Sequence, residues 1–86
     1  MNGTRSFDAL AIHERDNVAV TLEDLAQGAQ VRIARQGRVD SLVAADAIPL
    51  GHKLALEAIA KDAPVVKYGE IIGVARIPTM PQGAEA

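Results

Sequence analysis

Apolar positions fall in short runs separated by turn-forming residues, a pattern that predicts strands rather than core helices. Residues 9–13 form one apolar run, and Glu14-Arg15-Asp16-Asn17 predicts a turn, with Asp16-Asn17 as an Asx-type turn. Val18-Ala19-Val20-Thr21 predicts the next strand. Residues 31–35 and 38–43 flank Gln36-Gly37 and predict a hairpin, because Gly37 tolerates the positive φ of a tight turn. Gly69 and Gly73 interrupt strand-like sequence and predict a bulge or a close backbone approach. Helical signal is confined to residues 22–26 and 54–60, which Gly28 and Asp62 close before three turns accumulate. The expected fold is therefore mainly β: a compact, twisted, barrel-like domain with one or two short helical turns.

A weak internal repeat refines this expectation. Residues 22–31 match residues 56–65 at five of ten positions, with Leu25 against Ile59 as a similar pair, at a spacing of 34 residues. A fainter third copy places Pro81-Gln82-Gly83-Ala84-Glu85 against Ala26-Gln27-Gly28-Ala29-Gln30. Each copy predicts a one-turn helix, a tight turn and then a strand, so the third copy would start its strand at residue 86. So few copies do not make a solenoid.

Composition narrows the function classes. The 86 residues are 49% hydrophobic but contain one Tyr, one Phe and no Trp, so the core must be built from aliphatic side chains, and base stacking on aromatic platforms is excluded. Cysteine is absent, which removes disulfides, thiolate catalysis and Cys-ligated metals. A chain this small buries only about 60–65% of its unfolded surface, so oligomerisation or a partner chain is the expected extra support. The net charge of −2 lacks the basic excess that nucleic acid binding needs. No apolar run is long enough for a membrane span and the N-terminus has no apolar signal region, which predicts a cytoplasmic protein with no membrane contact. The domain boundaries expected are a flexible lead at 1–6, one domain at 7–83 and a short tail at 84–86.

Four blocks carry a family resemblance: Asp16-Asn17-Val18-Ala19-Val20, residues 48–56 around Gly51-His52-Lys53, Ile59-Ala60-Lys61, and Lys67-Tyr68-Gly69-Glu70-Ile71-Ile72-Gly73. Together they resemble the SAF-type domain of the altronate/galactarate dehydratase family, over about residues 9–83. In that family the domain is either the N-terminal part of a larger chain or a separate small subunit, as in sulfolactate sulfo-lyase. The resemblance implies a β-clip fold, a large dehydratase subunit as partner, and β-elimination chemistry on a hydroxy-acid substrate. Family members continue past the final glycine with a histidine-rich strand, whereas Gly83 is followed here by Ala84-Glu85-Ala86. The roles of those histidines are not carried over.

Elimination needs a base at the proton α to a carboxylate and a counter-charge for the developing enediolate. His52 is the candidate acid/base, with Gly51 allowing close approach and Lys53 able to pair with a carboxylate. The bland alternative is equally open: His52 bonded to a backbone carbonyl at a turn and Lys53 solvated. Lys67 and Tyr68 are further substrate-binding candidates, with core packing of the phenol and solvation of the amine as their alternatives. His13 and His52 lie outside any metal-ligand spacing, so no cofactor is expected within this chain, and a divalent cation is assigned to the partner subunit. Arg32, Arg35 and Arg38 around the Gln36-Gly37 turn read mainly as a solvated cluster. The leading function is a small accessory subunit that completes the site of a large hydro-lyase subunit. Alternatives are a non-catalytic SAF-type binding or assembly module, a degenerate paralogue, and self-association as a homo-oligomer.

Overall fold

Two residue types decide the architecture: β-branched and small aliphatic side chains that pack on strands, and turn residues that accept positive φ. The computed structural model describes residues 6–75 and 79–86. Except for Ser6, the lead expected at the N-terminus lies outside them. Among the described residues the secondary structure is all strand: β1 (Ala9–Ala11), β2 (Val18–Thr21), β3 (Gln30–Arg35), β4 (Arg38–Val43), β5 (Lys53–Ala55), β6 (Ile59–Ala60), β7 (Pro64–Lys67), β8 (Glu70–Val74) and β9 (Thr79–Met80). The fold is a mainly β, SAF-type domain, as the sequence implies. Five strands form one sheet in the order β4-β3-β1-β2-β5, while β6 pairs with β9 and β7 with β8.

The short helical turns expected at residues 22–26 and 54–60 do not form. Leu25 instead exchanges both backbone hydrogen bonds with Ile48, at 2.8 and 2.9 Å. Leu54 and Ala55 are paired to β2, and Ile59 and Ala60 to β9. With these groups committed to long-range partners, none is left to nucleate a helical ladder, which is unfavourable in so short a run.

The expected turn at Gln36-Gly37 forms, and a second hairpin closes at Tyr68-Gly69. Gln36 and Gly37 have φ of 48° and 79°, and Tyr68 and Gly69 have 57° and 77°, so both hairpins close with two consecutive positive-φ residues. In the second hairpin Val65 faces Gly73 while Val66 faces Ile71, leaving Ile72 as the extra residue of a bulge beside Gly73. Gly69 meets the other half of the prediction, since a Cβ there would stand 2.8 Å from the His13 ring.

The repeat is structural, and all three copies use it. The carbonyls of Ala26, Ala60 and Pro81 accept from the amides of Ala29, Ala63 and Ala84 at 3.0–3.1 Å, each across a turn with a positive-φ residue at Gly28, Asp62 or Gly83. The turn then exchanges two backbone bonds with one alanine elsewhere: Ala44, Ala75 and Ala55 respectively. The third copy therefore leads directly into pairing along β5, where Leu54 bridges Glu85 and the Ala86 amide donates to the Lys53 carbonyl at 2.9 Å.

β2 and β5 are buried on both faces. Val18 and Ala55 belong to a cluster with Ile59, Val65, Ala75, Met80 and Ala84, whereas Ala19 and Leu54 face a second cluster with Val31, Ile33, Ile48 and Leu56. Two buried faces explain why Val-Ala-Val-Thr shows no polar alternation.

Asp16 and Asn17, expected to form a local Asx turn, instead bond backward along the chain and to distant strands. The Asp16 carboxylate, only 2% exposed, accepts from the amides of Ile12 and His13 through one oxygen and from Gly69, 53 residues away, through the other. Asn17 pairs with β7 through its own amide side chain, accepting from Val66 N at 2.7 Å and donating to Pro64 O at 2.9 Å. Burial alone would raise the Asp16 pKa, but the backbone N–H groups of Gly69, His13, Tyr68 and Ile12 outweigh it and hold the carboxyl below its ordinary value of 3.8. Asp8 is also held low, chiefly by hydrogen bonds from the Arg32 guanidinium, at 3.2 and 3.1 Å.

Two predictions follow from this geometry. Both groups are ionised in the fold with depressed pKa, so the stability they contribute is complete above about pH 5 and declines as pH falls below about 4. Asp16→Asn should lower stability at pH 7 by on the order of 2–3 kcal/mol and flatten that acid slope. Denaturant titrations at pH 7 and pH 3 check this, and an unchanged slope would refute it. Gly83 and Gly51 share a φ near 85° (85° and 84°), but a Cβ on Gly83 collides with the Val43 carbonyl while one on Gly51 meets open space. Gly51→Ala should cost about 1–2 kcal/mol and Gly83→Ala clearly more, about 3 kcal/mol or above. Paired thermal melts give the comparison.

Candidate functional site

The Gly51-His52-Lys53 block sits where the chain leaves a tight turn and enters β5. The turn is closed by the His52 amide donating to the Pro49 carbonyl at 3.1 Å, with Gly51 at the position that needs positive φ. Thr21, at the end of β2 and 1% exposed, fastens it from beneath. Its hydroxyl donates to the Pro49 carbonyl at 2.8 Å, and its backbone receives the Gly51 amide at 3.0 Å and donates to the His52 carbonyl at 2.9 Å. The backbone of the block is thus rigid while its side chains face outward.

The imidazole of His52 is half exposed, at 53%, and its Nδ1 lies 2.6 Å from Oε2 of Glu85. Glu85 is held there by its own backbone. It bridges Leu54, its amide donates to Asp46 Oδ2 at 3.0 Å, and Ala84 before it and Ala86 after it both bond to β5. Glu85 and Lys53 are also the charged side chains lining a groove of about 410 Å³ whose apolar wall includes Val65, Ile72, Val74 and Met80. A carboxylate, an ammonium and an imidazole therefore sit on one edge of the domain, beside β5.

Lys67 and Tyr68 lie elsewhere. They form the tip of the β7–β8 hairpin, next to Asp16 and His13, at the opposite end of β2 from His52. The length of β2 alone separates the two ends by roughly 10 Å at the usual strand rise. Tyr68 is not a core residue: it is 54% exposed, with the Lys67 ammonium 4.9 Å from its ring centroid.

A family model for the SAF domain of altronate/galactarate dehydratase matches residues 7–84. The chain belongs to that family. It is 46% identical over 66 residues to altronate dehydratase of Escherichia coli K12, 35% identical over 75 residues to galactarate dehydratase (L-threo-forming) of the same organism, and 39% identical over 64 residues to altronate dehydratase of Bacillus subtilis 168. These matches cover 77, 87 and 74% of this chain but only 12, 13 and 12% of the relatives, so the SAF domain corresponds to about an eighth of each.

Within the SAF domain, one sequence-based reading changes and another is extended. His52 does not bond its ring to a backbone carbonyl; it meets Glu85, which lies 33 residues away and whose role no local pattern signalled. The three arginines stay at the surface as expected but each also has a partner in the chain: Arg32, 47% exposed, on Asp8, Arg35 on the carbonyls of Glu14 and Asp16 at 2.7 and 2.8 Å, and Arg38, 65% exposed, on Asp40 at 3.2 Å. His13 accepts the Arg15 amide through Nδ1 and packs on Gly69. Among the described residues, no three His, Cys, Asp or Glu side chains converge as a metal site, and no helix is long and apolar enough to cross a membrane.

Proposed function

We propose that this SAF domain is a small, cytoplasmic accessory subunit of a hydro-lyase acting on sugar acids or related hydroxycarboxylates, and that it completes the site of a separate large catalytic subunit. The observation that carries the reading is the outward-facing His52, with Nδ1 engaged by Glu85 and Lys53 beside it on a rigid turn. An ionised carboxylate can only accept, so Nδ1 carries a proton, and in the neutral imidazole the lone pair is on Nε2. Nε2 is then the base that takes the proton α to the substrate carboxylate. The Cα–H electrons form the double bond, the Cβ–O bond breaks, and the hydroxyl departs as water after taking the proton back from Nε2, which restores the base. The Lys53 ammonium pairs with the substrate carboxylate, and Gly51 leaves room for its approach. Lys67 and Tyr68, at the far end of β2, are assigned to contacts with the large subunit.

The relatives support the division of labour, because about seven-eighths of each lies outside the matched region. So does β8, whose outer edge carries the exposed Ile71, Ile72 and Val74 without a Lys or Pro to block pairing, and which is the face assigned to the large subunit. The donor set does not fit a divalent cation within this chain, since His52 and Glu85 offer two ligands and no third converges among the described residues. Such an ion would belong to the partner. The same bare edge favours the second reading, a non-catalytic binding or assembly module, including a homo-oligomer.

Co-expression with a large hydro-lyase subunit encoded nearby should yield a stable complex that dehydrates a hydroxy acid. In that complex His52→Ala should lower kcat by about 10²- to 10⁴-fold with assembly intact. Failure to co-purify would overturn the subunit reading. Full activity of the variant would overturn the role of His52 and leave the binding module.

A further inference from the structure

We infer that Glu85 is a positioning residue that holds His52 as the Nδ1–H tautomer, so that Nε2 is presented as a ready base before any partner arrives. The catalytic half of this inference rests on the dehydratase reading; the tautomer half stands on this chain alone. A surface His–Glu pair is ordinarily worth little, because two mobile side chains must be ordered to form it. Here most of that ordering is done by backbone. His52 lies on a turn closed by its own amide and pinned by Thr21. Glu85 lies on a segment bonded to β5 at Ala84 and Ala86 and to Asp46 through its own amide. Two rigid segments therefore place the ring and the carboxylate 2.6 Å apart, and only a few side-chain torsions remain to be fixed.

In neutral imidazole one nitrogen donates and the other accepts, and the bond made by the first decides which. With Glu85 accepting at Nδ1 of the neutral ring, the lone pair stays on Nε2, on a side chain that is 53% exposed. Without Glu85 the ring would partition between tautomers and rotate, and the fraction ready to accept a substrate proton would fall.

Nitrogen-15 NMR of the full chain at alkaline pH should show His52 as the Nδ1–H tautomer in the wild type and a mixture dominated by Nε2–H in Glu85→Ala. Glu85→Gln, whose amide oxygen still accepts, should retain the wild-type tautomer. In the complex with the large subunit, Glu85→Ala should lower kcat about tenfold or more with KM within about twofold, and Glu85→Gln should recover part of the loss. The same tautomer in wild type and Glu85→Ala would overturn the inference, as would an unchanged kcat in Glu85→Ala. Failure of the chain to co-purify with a large subunit would instead remove the dehydratase reading, and full activity in His52→Ala the catalytic role of His52, each leaving the NMR result to decide the tautomer.

Discussion

The pairing of β2 with β5 is the constraint on which the rest of the molecule depends. Val18 faces Ala55 and Ala19 faces Leu54, and because neighbouring strand residues point to opposite faces, this short ladder supplies side chains to both hydrophobic clusters at once. One end of β2 carries Asp16 and Asn17, which anchor the β7–β8 hairpin. The other carries Thr21, which anchors the turn bearing His52. β5 in turn provides the ladder against which residues 84–86, and therefore Glu85, are set. A displacement of this pair would separate the two cores and dismantle the His52–Glu85 arrangement together.

Alanine makes that geometry possible. Among the described residues seven of the seventeen buried apolar ones are Ala, including Ala44, Ala55 and Ala75, the partners of the three repeated turns. All three positions that exchange two backbone hydrogen bonds with a repeated turn are alanine, where a larger aliphatic residue would bury more surface. Full burial of a residue such as Ile48 or Leu54 contributes about 1.5–3 kcal/mol, and alanine contributes much less. The core is therefore thin, and polar anchors such as the Asp16 carboxylate carry a larger share of the specificity than they would in a larger domain. The apolar edge at β8 agrees with a domain that completes its burial against another chain.

The chemistry is arranged on the same economy of groups. A chain with two histidines gives one of them, His52, a rigid turn and a carboxylate, and sets the other, His13, against Gly69 as a structural contact. Arg32, Arg35 and Arg38 form a surface cluster whose charges are met by Asp8, Asp40 and backbone carbonyls. What lies along the β5 side is an imidazole, an ammonium and a carboxylate, the last two beside an apolar groove, and the proposed function reads this set as one wall of a shared site.

By itself the sequence determined what depends on a few neighbouring residues. The early strands β1 to β4, the hairpin at Gln36-Gly37, the bulge beside Gly73, the three-copy turn and the family resemblance follow from local pattern, because turn φ values and strand periodicity are set within three or four positions, whereas the hairpin at Tyr68-Gly69 went unread. Only the tertiary structure decided the features that need a distant partner. Residues 22–26 and 54–60 carry enough helical spacing to suggest a turn, yet Ile48, β2 and β9 capture their backbone first. Asp16-Asn17 looks like a local Asx turn until Gly69 and Val66 arrive from more than forty residues away. His52 could be singled out from its neighbours, but Glu85 could not, because nothing near residue 85 encodes which strand it will lie against. That choice belongs to the β5 ladder, which exists only once both cores have formed.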